Sequence, residues 1–72
     1  MNKQRLSSSG ESYYQKVITA VALSIGSTRK EAAAIVKRSA IRKLIELYPY
    51  TTLKENPACW ATEILYLEGY YD

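Results

Sequence analysis

The sequence predicts an all-α fold, either a compact three-helix bundle or an orthogonal three-helix domain, with helices near residues 12–25, 29–48 and 57–68. Three observations carry that expectation. Apolar residues recur at helical spacing in three separate stretches. Each stretch is bounded by capping or breaking residues. Glycine and proline number only 3 and 2 in a chain that is 47% hydrophobic, a composition that favours a packed core over disorder.

Residues 1–10 are polar, serine-rich and end in Gly10, so they read as a flexible N-terminal arm ahead of one helical domain over 11–72. In the first helix Tyr14, Val17, Ile18, Val21, Ala22 and Ile25 follow the i, i+3, i+4, i+7 pattern, and Gly26 supplies a left-handed C-terminal cap. Lys16 is the only charge from 12 to 25, and Leu23 lies on the opposite face. A helix so poor in charge is expected to be nearly surrounded or covered by a second copy.

Thr28 and Glu31 stand in capping-box spacing at the start of the second helix. Ala32, Ala33 and Ala34 are strong helix formers, and apolar positions continue through Val36, Ala40, Ile41, Leu44, Ile45, Leu47 and Tyr48 until Pro49. The wide apolar arc marks this long helix as the central element, contacted from two sides. Lys37 falls inside that arc and is expected to snorkel, to pair with a carboxylate such as Glu63, or to mark a seam open to solvent or a partner, with snorkelling the default. After a connection over 49–55, Asn56 caps a third helix with Pro57 at its first position, and Trp60, Ile64 and Leu67 form its stripe until Gly69.

At 72 residues the core is small and gains from outside support. A single cysteine excludes an internal disulfide, and the absence of histidine removes the usual zinc ligands, which leaves self-association. The longest apolar run is far shorter than the roughly 20 residues of a membrane span, and no signal-type apolar segment follows the polar start. A cytoplasmic protein with a free thiol is the expectation.

The same inventory speaks against catalysis. Without histidine the commonest general base is missing, and Cys59 has no imidazole to activate it, so it reads as a small buried residue. Glu63 and Glu68 are spaced so that they do not share a helix face, and no glycine-rich phosphate loop is present. No enzyme activity, cofactor, metal or small-molecule substrate is expected.

Charge is unevenly spread. Residues 1–48 hold nine Lys/Arg against three Glu, giving +6, whereas 49–72 hold Lys54 against Glu55, Glu63, Glu68 and Asp72, giving −3. Either the acidic part neutralises the basic helix within the chain, or the basic face meets a polyanion. The segment from Ala22 to Thr28, with a small residue four positions before a turn glycine and Ile35 beyond, resembles a helix-turn-helix core. It departs from that motif in the length of its second helix, in Ala32 at a usually branched position and in the polar Ser27. DNA binding through Arg29, Lys30, Lys37, Arg38, Arg42 and Lys43 is therefore the alternative function, resting on phosphate contacts because Ala33 and Ala34 offer little base readout. These cations spread around the helix, and Arg42 and Glu46 stand at pairing distance.

The aromatic residues are seven tyrosines and one tryptophan, with no phenylalanine. Tyr14, Tyr48 and Trp60 sit on apolar stripes and read as core. Tyr13, Tyr50, Tyr66, Tyr70 and Tyr71 have no core position, and half-buried tyrosine is characteristic of interfaces. With Leu23, they make the leading expectation a small helical module that recognises a protein partner or a second copy of itself.

Overall fold

The computed structural model describes residues 7–71. It is all-helical, with five helices and no strand among the described residues: α1 (Ser8–Ile25), α2 (Arg29–Arg38), α3 (Ile41–Leu47), α4 (Pro49–Lys54) and α5 (Pro57–Leu67). Residues 1–6 of the expected arm lie outside the described residues.

The first helix begins at Ser8, earlier than its apolar periodicity suggests, because the Ser7 hydroxyl accepts a hydrogen bond from the Gly10 amide at 3.1 Å and serves as N-cap. Gly26 ends it at φ 64°, and the Ser27 amide reaches back to the Ala22 carbonyl at 3.1 Å. Buried Tyr13, Tyr14, Val17, Ile18 and Val21 give α1 more than one inward face. It packs on all four other helices. The central element is thus α1, and the helix expected to hold that place is divided in two.

The division falls at Ser39 and Ala40. The Ser39 hydroxyl donates to the Val36 carbonyl at 2.6 Å and accepts from the Ile41 amide at 3.3 Å, so the side chain takes over bonds that would have continued the helix. Helix α2 keeps the capping box: Thr28 accepts from the Glu31 amide at 3.1 Å, and the Glu31 carboxylate accepts from the Thr28 amide at 3.2 Å. Its buried residues are Ala32, Ile35 and Val36, whereas α3 turns Ile41 and Ile45 inward. Lys37 is exposed, because the apolar arc assigned to it does not exist as one surface.

Pro49 does not open a loop. It occupies the first position of the short α4, where its missing amide costs nothing. Tyr48 is the joint between α3 and α4, at φ −134° and ψ 61°, and its ring is exposed instead of entering the core. Thr52 fastens the joint, donating its buried hydroxyl to the Leu44 carbonyl at 3.1 Å. Helix α5 starts as its sequence indicates, with Asn56 accepting from the Ala58 amide at 2.9 Å and Pro57 in the first turn. Its inward face is Ala61, Ile64 and Leu65. That stripe is rotated from the expected one, so Trp60 is only partly covered and Leu67 faces outward.

Candidate functional site

The rotation of α5 places a cleft of about 260 Å³ beside it. Ile41, Leu44, Trp60, Ile64 and Leu67 supply apolar walls from α3 and α5, and Ala40 lies at the α2–α3 break. Arg38 and Glu68 line the same cleft and form a 2.8 Å ion pair. The hydrogen bond to Glu68, and then its charge, raise the Arg38 pKa above its ordinary value. A second cleft of about 280 Å³ shares Trp60 and Glu63 with the first and adds Thr51, Glu55 and Cys59. The indole is fixed between them by its Nε1–H, which donates to the Thr52 carbonyl at 3.1 Å.

Beneath this surface Tyr13 occupies a core position. Expected to be an exposed binding residue, it is only 8% exposed. Its hydroxyl donates to the Glu55 carbonyl at 2.5 Å, tying α1 to the end of α4. Burial raises its pKa, and the negative charge of nearby Glu55 adds to that effect. Adjacent tyrosines point to different helix faces, yet α1 buries both Tyr13 and Tyr14 because it is enclosed by several partners.

The other residues of the expected protein-binding set are exposed: Leu23 at 79%, Tyr50 at 89%, and Tyr66, Tyr70 and Tyr71 around the end of α5. Leu47, Tyr48 and Leu67 join them, and sequence reasoning had not placed these outside. Their periodicity matches a core stripe until the Ser39 break and the rotation of α5 are known. Cys59 is exposed and not buried, because the inward face of α5 is formed by Ala61, Ile64 and Leu65.

The six basic residues separate into two groups. Arg29 donates to Thr19 at 2.5 Å and to the Gln15 side chain, bracing the α1–α2 turn. Arg38 holds Glu68. Arg42 lies 3.8 Å from Glu11 and 5.2 Å above the centre of the Tyr14 ring, so it reaches α1, and among the described residues its ion pair is with Glu11 and not with Glu46. Lys30, Lys37 and Lys43 are exposed and form no ion pair among the described residues. The arginines therefore hold helices together, while the lysines face water.

Among the described residues no group of three His, Cys, Asp or Glu side chains is placed to hold a metal ion, and no helix is long and apolar enough to cross a membrane. The chain is a small all-helical protein whose residues 47–71 expose several tyrosine and leucine side chains. No protein-family model, curated protein or solved structure matches it.

Proposed function

We propose that this chain is a small non-enzymatic binding module that recognises a protein partner, or a second copy of itself, through the exposed Tyr and Leu side chains of its C-terminal half. One observation carries the reading: of the eight large hydrophobic residues exposed among the described residues, seven lie between Leu47 and Tyr71, and Leu23 is the exception. Large apolar side chains concentrated on one part of a small surface mark interaction sites. Tyrosine suits that role because its ring supplies contact area while its hydroxyl stays hydrated. The first helix contributes less than its lack of charge suggested, since four neighbours already cover it.

The test combines sedimentation equilibrium with affinity capture. A triple variant carrying Tyr66→Ala, Leu67→Ala and Tyr70→Ala should lose self-association or partner capture while keeping its helical spectrum. A parent protein that stays monomeric, together with capture unchanged in the variant, would end the proposal.

A second reading, DNA binding, has one observation in its favour. Helix α2 stops at Arg38, and Ala32, Ile35 and Val36 are its buried residues, so its length and its inward Ala32 and Ile35 are compatible with the second helix of a helix-turn-helix unit. Lys30 and Lys37 would then contact phosphate. Duplex binding that weakens with salt, with each Lys→Ala change lowering the salt slope by about 1, would support it; absence of binding at low salt would remove it.

A further inference from the structure

The geometry points to the chemical class of the partner: a basic amphipathic helix of another protein, lying across Trp60 in the paired clefts beside α5. This rests on the protein-recognition reading and narrows it. The clefts share Trp60 and Glu63, so they adjoin across the indole as one depression, apolar on the side of Ile41, Leu44, Ile64 and Leu67 and mixed on the side of Thr51, Glu55 and Cys59. Three carboxylates line it, from Glu55, Glu63 and Glu68, against the single cation Arg38. No lysine lines either cleft.

A docked segment must therefore supply bulky apolar side chains to the depression and positive charge to its rim. An amphipathic helix does both, with apolar anchors at i, i+3, i+4 and i+7 and Lys or Arg flanking them. A second copy of this chain does not fit. Its exposed large apolar residues, Leu23 excepted, fall in 47–71, where Lys54 is the only cation among three glutamates in the described residues. Its exposed lysines on α2 stand beside alanines, which are too short to fill the clefts, and Lys43 has one exposed leucine a turn away, Leu47, on a seven-residue helix too short to present anchors at i, i+3, i+4 and i+7.

Trp60 is the only tryptophan, so its emission reports on the depression directly. The full chain is titrated with three tryptophan-free peptides of about 15 residues, long enough to hold a helix. They share one leucine stripe and carry Lys, Gln or Glu on the other face. The Leu/Lys peptide should shift Trp60 emission to the blue and bind at least about tenfold more tightly than the Leu/Glu peptide. Glu63→Lys should weaken it by a similar factor, Leu67→Ala should weaken it as well, and Lys30→Ala should leave it unchanged. Both Glu63 and Leu67 are exposed, so circular dichroism should show these variants folded. Equal binding of the Gln or Glu peptide overturns the basic class while leaving the apolar surface standing. Binding of the Leu/Lys peptide that Glu63→Lys does not weaken also overturns it, because the peptide then sits elsewhere. If none of the three peptides binds, the inference fails, and the sedimentation and capture measurements above decide the broader reading separately.

Discussion

Tyr13 is the residue at which the molecule departs most from its sequence pattern, and its consequences can be measured. The hydroxyl bonded to the Glu55 carbonyl links two helices 42 positions apart in the chain. Tyr13→Phe keeps the ring and removes the donor, so the Glu55 carbonyl loses its partner; unfolding by urea should show a loss of about 0.5–1.5 kcal/mol. The same residue creates a dependence on alkaline pH. Burial raises the folded-state pKa, so the neutral phenol is favoured by folding, and its contribution is complete below about pH 10, the value expected in the unfolded chain. That contribution is lost as pH rises through the higher folded-state value. The parent should therefore lose stability more steeply than Tyr13→Phe above about pH 10, as followed by urea midpoints across the alkaline range.

At the scale of elements, caps were legible and continuations were not. Ser, Thr and Asn side chains act locally, so the Thr28–Glu31 box, the Gly26 terminus and the Asn56–Pro57 start are found where the sequence places them. Gly26 gives the cleanest measurement, since a methyl group there would meet no atom within 4 Å and only its φ of 64° opposes substitution. Gly26→Ala should cost about 1–2 kcal/mol in thermal or denaturant unfolding, all of it backbone strain. The Ser39 break was hidden, because alanines before it and a regular apolar spacing after it read as one helix; nothing in periodicity reports that a hydroxyl will compete for the backbone. Helix α5 was ambiguous for a different reason. Trp60, Ala61, Ile64, Leu65 and Leu67 span an arc of about 160° at 100° per residue, and only the position of α1 decides which part of it turns inward. The candidate surface was accordingly legible in its tyrosines, and invisible in Leu47, in Leu67 and in the cleft that Leu67 lines.

The whole molecule is stabilised by a narrow margin. Its radius of gyration of 11.7 Å is close to the roughly 11 Å of a compact chain this long, and the largest fully covered side chains among the described residues are Val17, Val21, Val36, Ile41 and Leu65. A core of that size supplies only about 3–5 kcal/mol. Leu65→Ala, which costs about 2–5 kcal/mol at a fully buried site, should leave a large unfolded fraction at room temperature by circular dichroism. So small a reserve gives the Ser39 interruption a significance beyond the path of one chain. Alanine is favoured over serine in a helix by up to about 0.7 kcal/mol, so Ser39→Ala relaxes the bend and favours a continuous rod from Arg29 to Leu47. Such a rod carries Ile41 and Ile45 away from their own α1, where a second copy offers them the identical socket. Ser39→Ala should populate a domain-exchanged dimer that grows with protein concentration in size-exclusion chromatography. One hydroxyl thus keeps the fold closed on itself.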